Sequence, residues 1–420
     1  MMTKPFEKTY PTSIYVHWPF CVTRCSYCDF VALEQHEPFQ REYHEALCRE
    51  VETFYGEMAH PSIHFADAKH SGRAGAHAEC RATRGVSKHQ VPPVQTLYFG
   101  GGTPSRYPEP MLEELFSTLF SHISLCDTPE ITIEANPADI TREKLAFWKY
   151  LGINRLSIGV QCLDDSVLQK LNRRQNVHDV LKAIDLASAV FDNISVDLML
   201  GLPGLNEASW FDNTLATVVT WPITHVSLYF LTIYEKTPIY FQLERKELVL
   251  PNEDSVVDWY ERSVDYLDAH GFKQYEISNF AKQGYYSRHN KVYWDRKPYK
   301  GFGLGASSFD GVMRCTNTAL LADYIKKGLP YSIVIPYTFE ILTEKQILLE
   351  ELMLGLRQSG GFDLQHVIYF LKSDEKEKLV HTILSLEVAG FIQRDNNRIW
   401  LTRKGMILEN EIVSLLSEPW

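Results

Sequence analysis

Three cysteines fall within eight residues, Cys21-Val22-Thr23-Arg24-Cys25-Ser26-Tyr27-Cys28, at the spacing C-x3-C-x2-C. Thiolates this close can each take one iron at a corner of a 4Fe-4S cube, while the chain between them loops over the cluster. The remaining iron then has no protein ligand and is open to a small molecule. A structural zinc site would need a fourth ligand, and none follows at a usual spacing. Thiol-redox chemistry is the other use for clustered cysteines in a reducing compartment. The chain holds 8 cysteines in 420 residues, too sparse for a disulfide framework.

Other residues could serve a ligand beside such a centre. Phe99-Gly100-Gly101-Gly102-Thr103-Pro104-Ser105 places three glycines after a β-type run, where main-chain groups can approach a ligand closely or simply turn. Glu134 ends one β-type run and Gln161 another, and Arg173 follows in Leu171-Asn172-Arg173. A guanidinium pairs a carboxylate in bidentate fashion. Asp197 stands inside the apolar stretch Ile194 to Leu202, where an acid is costly unless it has a task. Further on, His289-Asn290-Lys291-Val292-Tyr293-Trp294 offers an imidazole that can ligate haem iron, a phenol for a propionate or iron, and a flat indole face. The bland alternative for that segment is a packed turn.

These residues need a frame, and from Ser13 to about Thr232 short β-type runs alternate with amphipathic stretches, the pattern of βα units around a parallel sheet. Strands are expected at Ile14–Trp18, Thr96–Phe99, Ile131–Glu134, Arg155–Gly159, Ile194–Leu200 and His225–Phe230, enough for an open barrel. Helices are expected at Phe39–Met58, Pro110–His122, Thr141–Leu151, Asp164–Leu171, Val177–Phe191 and Ala208–Val219, with Thr141 and Gly152 as start and stop signals for the third. Residues 59–93 interrupt the rhythm with five histidines, Cys80 and many small residues, and read as a flexible insertion. A barrel domain over 1–235 is thus followed by a mixed segment over 236–337 and a module over 338–420 that reads helix, helix, hairpin, the outline of a winged helix. Cys162 and Cys315 read as core residues.

Composition limits the partners. With 42 Lys+Arg against 53 Asp+Glu, the formal charge is −11, which gives no phosphate-neutralising field and argues against nucleic acid. The winged-helix outline agrees, since residues 340–420 carry 9 basic and 13 acidic side chains. No apolar h-region opens the chain and no apolar run is long enough to cross a bilayer, so a cytoplasmic protein is expected.

The cysteine triad, followed by the glycine triplet, resembles the signature of the radical S-adenosylmethionine superfamily. That resemblance implies a partial (β/α)6 TIM-like barrel, one 4Fe-4S cluster on Cys21, Cys25 and Cys28, and S-adenosylmethionine chelating the open iron through its amino and carboxylate groups. Glu134, Gln161, Arg173 and Asp197 fall where the oxygen-independent coproporphyrinogen III dehydrogenases and their relatives contact S-adenosylmethionine. Tyr15, Tyr27, Gly101, Gly102 and Thr103 also match contact positions. Those dehydrogenases carry a fourth cysteine, in C-x3-C-x2-C-x-C, where this chain has Phe30. Cys28-Asp29-Phe30 and the H-N-x-x-Y-W pattern are instead similar to the HemW-type haem chaperones, which implies haem as a further ligand, with His289, Asn290, Tyr293 and Trp294 as candidate contacts. The partners this implies are haem-accepting proteins, reached by peripheral contact where they are membrane-bound, and an electron donor for the cluster. Oxidative decarboxylation of coproporphyrinogen III is the alternative activity.

Overall fold

The computed structural model describes residues 10–58, 92–327 and 337–418. Of the expected insertion only Pro92 and Pro93 are among the described residues, so its histidines and Cys80 lie outside them.

Six parallel strands form the frame: β1 (Ser13–Trp18), β2 (Val94–Gly101), β3 (Leu125–Ala135), β4 (Arg155–Gln161), β5 (Ile194–Leu200) and β6 (His225–Phe230). They pair in chain order. Each expected strand is present, the second to fourth a few residues longer than the pattern indicated. Side chains alternate faces along a strand, and here the alternation separates two environments. Ile14, Val16, Leu97, Phe99, Ile131, Ile133, Leu156, Ile158, Val196 and Leu228 belong to one buried apolar cluster, packed under the helices. At the intervening positions stand Tyr15, Tyr98, Glu134, Ser157, Asp197 and Ser227, so the face inside the curved sheet is polar. The strands therefore read as half-buried although both faces are covered, because the inner face is built for polar contacts.

The helices α1 (Gln40–Met58), α2 (Glu109–His122), α3 (Arg142–Tyr150), α4 (Asp165–Lys170) and α5 (Val177–Ser188) follow the expected order. Thr141 caps α3 by accepting the Lys144 amide at 3.3 Å. Gly152, at φ +86°, ends it by donating to the Lys149 carbonyl while Ile153 donates to Trp148. The sixth helix departs from expectation: it opens as a π turn over Ser209–Leu215 and ends in a short α segment, Ala216–Val218. The Thr214 hydroxyl donates to the Ser209 carbonyl at 2.9 Å and accepts the Leu163 amide at 3.0 Å, and this side-chain link holds the wider turn.

Residues 236–337 add three short strands to the same sheet. β7 (Lys273–Gln274) and β8 (Asn279–Ala281) continue it beyond β6, and β9 (Lys300–Phe302) lies beside β1, giving nine strands in the order β9-β1-β2-β3-β4-β5-β6-β8-β7. A helix over Arg288–Trp294 lies between β8 and β9 in the chain. The C-terminal region has its own core, with Leu352, Leu356, Leu379, Ile383, Ile399 and Leu416 packed together. Its hairpin, Ile392–Asp395 with Arg398–Leu401, is joined by a third strand at Phe362–Asp363, and two closing helices, Arg403–Ile407 and Glu409–Ser417, follow. Among the described residues no helix is long and apolar enough to cross a membrane.

Candidate functional site

The three cysteines lie on the loop that leaves β1, at the carboxyl ends of the parallel strands. The loop is tied down along its length: the Ser26 amide donates to the Leu171 carbonyl at 3.0 Å, the Ile239 amide donates to the Ser26 carbonyl at 2.9 Å, and the Arg24 guanidinium donates to the Cys28 carbonyl at 2.9 Å. Two donors point at the sulfurs. Thr103 Oγ1 lies 3.2 Å from Cys21 Sγ, and the Arg173 guanidinium 3.3 Å from Cys25 Sγ. Burial pushes the Cys21 thiol up to about 11 while the Thr103 hydroxyl pulls it down. A buried thiol gives up its proton readily only to a bound metal or cluster. Among the described residues no three His, Cys, Asp or Glu side chains gather as a single metal ion requires. Three thiols on one loop with no fourth ligand gathered beside them therefore suit a cube, whose irons each take one thiolate, better than a lone zinc. The chemistry of this donor set fits a 4Fe-4S cluster.

The glycine triplet forms the wall above the loop. A Cβ at Gly102 would sit 2.4 Å from the Pro19 carbonyl oxygen and 2.9 Å from Cys21 Sγ, and Gly101 has φ +119°. Glycine is thus required at both positions, by sterics at one and by backbone conformation at the other. Beside it Glu134 accepts the Gly101 amide at 3.1 Å and the Tyr98 hydroxyl at 2.8 Å. Burial, with Asp197 nearby, pushes its carboxyl up to about 7. Asp197 is raised too, chiefly by burial, against the hydroxyls of Ser227 and Ser157; Ser157 Oγ lies 3.2 Å from it. Both carboxylates remain partly open to the lumen.

Gln161 and Arg173 meet over Gly159. The strand bulges between Gly159 and Gln161, and Gln161 takes φ +70°, which re-aims its side chain. A Cβ at Gly159 would stand 3.0 Å from Gln161 Nε2 and 3.1 Å from the Arg173 guanidinium, which also donates to the Gly159 carbonyl at 2.7 Å. Tyr27 lies against the same guanidinium and Cys25. Tyr15 stacks on Tyr98 at 6.1 Å between centroids and shares a 2.9 Å hydrogen bond with His17 Nδ1. The expected S-adenosylmethionine contacts are thereby brought to one end of one lumen.

Of the H-N-x-x-Y-W residues, His289 and Tyr293 lie deeper in the same lumen, with the His289 ring stacked on Tyr98. His289 is 1 % exposed, with Nδ1 2.8 Å from Thr96 Oγ1 and Nε2 2.8 Å from the Tyr293 hydroxyl. Burial pushes the imidazole down to about 3. Both ring nitrogens are committed, so the ring has no free lone pair for iron in this arrangement. Asn290 is half-buried and donates its amide to Ser287 Oγ at 3.3 Å. Trp294 turns the other way, its ring 4.5 Å from the Arg357 guanidinium of the C-terminal region.

Several residues that pattern reading passed over complete the site. Arg155 is 2 % exposed and its Nε has no partner; it lies below the two carboxylates and favours their charged forms. Arginine at the start of a strand gives no signal in one sequence. Tyr98 and Ser157 read as ordinary strand residues, and only the inside-polar alternation marks them. Around the mouth, Phe30 is 72 % exposed, with Tyr229, Phe230, Tyr234 and Phe241 also exposed; Tyr229 and Phe230 end β6, and Tyr234 and Phe241 follow it in a segment tied to the cysteine loop through Ile239. Cys162 is buried as expected, whereas Cys315 is half-buried on the strand Met313–Asn317, which pairs with Ser307–Phe309 and Tyr337–Ile341 in a separate sheet.

Comparison with known proteins adds three findings. Residues 15–214 match the radical SAM superfamily and residues 342–408 the HemN C-terminal domain. The chain is 33 % identical to the heme chaperone HemW of Bacillus subtilis over 95 % of this chain and 97 % of that one. It is 32 % identical to the heme chaperone HemW of Synechocystis sp. over 89 % and 84 % of the two chains. Among solved structures, the coproporphyrinogen III oxidase HemN from Escherichia coli superposes with a TM-score of 0.78 at 21 % identity, covering 99 % of this chain and 92 % of that one; this likeness concerns the fold.

Proposed function

The chain belongs to the HemW group of the radical S-adenosylmethionine superfamily, and from that premise we propose that it is a haem chaperone, binding haem and passing it to acceptor proteins. The observation that carries the reading is the near-full-length likeness to proteins named heme chaperones. Two features of the chain support it. Phe30 presents an exposed ring where the coproporphyrinogen dehydrogenases have a fourth cysteine, and exposed aromatic side chains rim a polar lumen. A flat macrocycle with two carboxylates suits such a mouth: rings can cover its face while its charges meet polar groups.

The same reading places a 4Fe-4S cluster on Cys21, Cys25 and Cys28 with S-adenosylmethionine beside it. When bound, the cluster supplies an electron to the sulfonium of S-adenosylmethionine. The protein's share is position and charge. Thr103 and Arg173 donate towards two of the sulfurs and stabilise them as thiolates. Glu134, beside the Gly101 amide, is placed to receive an ammonium, and Arg173 a carboxylate. Gln161, Asp197, Tyr15 and Tyr27 line the remaining contacts, with Gly101 and Gly102 letting the ligand approach the backbone. Acceptor proteins and an electron donor are the partners this reading requires.

The test is anaerobic. After cluster reconstitution, one preparation is titrated with haem and assayed for coproporphyrinogen III turnover with S-adenosylmethionine and reductant. Stoichiometric haem binding without turnover is the expected result. Formation of protoporphyrinogen would overturn the proposal and make the protein a decarboxylase despite Phe30.

A further inference from the structure

The face of the 288–294 helix that turns inward closes the floor of the lumen. Its first two amides, those of Arg288 and His289, donate to the two oxygens of the Glu130 carboxylate at 3.0 and 2.9 Å, so the helix is fixed to β3. The His289 ring is then fixed by Thr96 on β2 and by Tyr293 one turn further along. On its free face the ring stacks against Tyr98, 5.0 Å between centroids with planes 23° apart. Tyr98 is also stacked by Tyr15, its neighbour on β1, and its hydroxyl donates to Glu134. His289 thus supports Tyr98 from below and Tyr15, its partner on β1, supports it from the side, and the held phenol aims one carboxylate of the candidate S-adenosylmethionine site.

We propose that His289 and Tyr293 are positioning residues for S-adenosylmethionine binding, acting through Tyr98 on Glu134, and are not haem-iron ligands. The inference rests on the assignment of Glu134 to S-adenosylmethionine made above. A hydrogen bond orients a carboxylate only as well as its donor is held. Tyr98 is partly open to the lumen and owes its ring plane to its two stacking neighbours. With the imidazole removed, the space beneath it lies among polar groups and admits water, and the phenol is free to tilt. The two ring nitrogens of His289 already have partners, so ligating iron would leave the Thr96 or Tyr293 hydroxyl unpaired in the floor.

The test uses the full chain with reconstituted cluster, S-adenosylmethionine affinity measured by equilibrium dialysis, and haem titrated on the same samples. His289→Ala should lower S-adenosylmethionine affinity about tenfold at parental iron and sulfide content, leaving haem stoichiometry and Soret position unchanged. Tyr293→Phe, which removes one hydroxyl and preserves packing, should lower it less and in the same direction, and decides the question if the alanine variant does not fold. On a Tyr98→Phe background, His289→Ala should add little, because the route to Glu134 is already cut; a merely structural role would give additive losses. A shifted Soret band or lost haem with parental S-adenosylmethionine affinity would overturn the inference. Glu134→Gln separates the two layers. If it leaves the affinity unchanged, the site assignment fails and this inference with it; if it weakens binding while the His289 and Tyr293 variants do not, only this inference fails.

Discussion

Arg173 touches both halves of the candidate site, one nitrogen on Cys25 Sγ and another on the Gly159 carbonyl. Lysine keeps the charge but cannot span both acceptors. Arg173→Lys should therefore retain the cluster while weakening S-adenosylmethionine binding. Arg173→Ala should also make the cluster harder to reduce, shifting its potential negatively by on the order of tens of millivolts, readable by redox titration followed by electron paramagnetic resonance. Glu134 gives a prediction with two opposed signs. Its carboxyl is raised from 4.5 to about 7, so between those values the folded chain holds a proton that the unfolded chain has lost. Stability of the cluster-free protein should fall as pH rises through that window. Glu134→Gln removes the dependence, so its stability relative to the parent should improve by on the order of 1 to 2 kcal/mol between pH 4 and 8, discounted for the group's partial exposure. S-adenosylmethionine affinity of the parent should move the other way, rising through pH about 7 as the carboxylate ionises to meet the ammonium. Affinity and stability curves measured across this range would refute the assignment if they ran in parallel.

At the scale of elements, what could be read in advance depended on length. The six long strands and the first five helices were legible because apolar residues recur in each over four or more positions, and Thr141 and Gly152 marked one helix by their chemistry. β7, β8 and β9 were not, since two or three residues carry no period and their place is set by pairing, β8 with β6, β7 with β8 and β9 with β1. The π turn was hidden for a similar reason, as one threonine hydroxyl decides it. At the site, the cysteines, glycines, Glu134 and Asp197 stood out by type, whereas Tyr98 and Arg155 are defined only by what surrounds them. The glycine loop makes the sharpest test of local geometry. Gly102→Ala would drive a methyl group into the Pro19 carbonyl and Cys21 Sγ. The variant should keep the circular dichroism of the barrel and lose most of its reconstituted iron and sulfide; a full cluster would show that the loop yields.

The whole molecule is joined across a seam between the barrel sheet and the C-terminal core. Arg357, at the end of the 344–357 helix, lies 2.7 Å from Glu276 through Nε, although the angle is not that of a hydrogen bond. Its guanidinium also covers Trp294 at 4.5 Å. Around this pair Ile277 donates to the Arg357 carbonyl and Ser359 to the Tyr275 carbonyl, 3.2 and 3.0 Å, and Glu350 is paired with Arg296 at 2.9 Å and with Arg314. Glu276 is fully buried, and burial raises its carboxyl despite the arginine. Removing Arg357 strands that charge. Arg357→Ala should destabilise the protein at pH 8 by about 3 to 5 kcal/mol, and by less at pH 5, where Glu276 can take up a proton. The double variant Glu276→Gln/Arg357→Met should recover most of the loss, since the neutral amide needs no counter-charge and its oxygen still accepts from Ser278 and Asn279. Glu409 stands close enough to add to the strain, its carboxyl raised by burial and by Glu276. Because Trp294 closes the same short helix that carries His289, loosening the seam should also be felt in the lumen, as weaker S-adenosylmethionine binding in Arg357→Ala with the cysteine loop untouched. Unfolding curves at the two pH values, with dialysis on the same variants, separate the outcomes. A stability loss that is equal at both pH values would mean that packing on Trp294, and not the buried carboxylate, is what Arg357 provides.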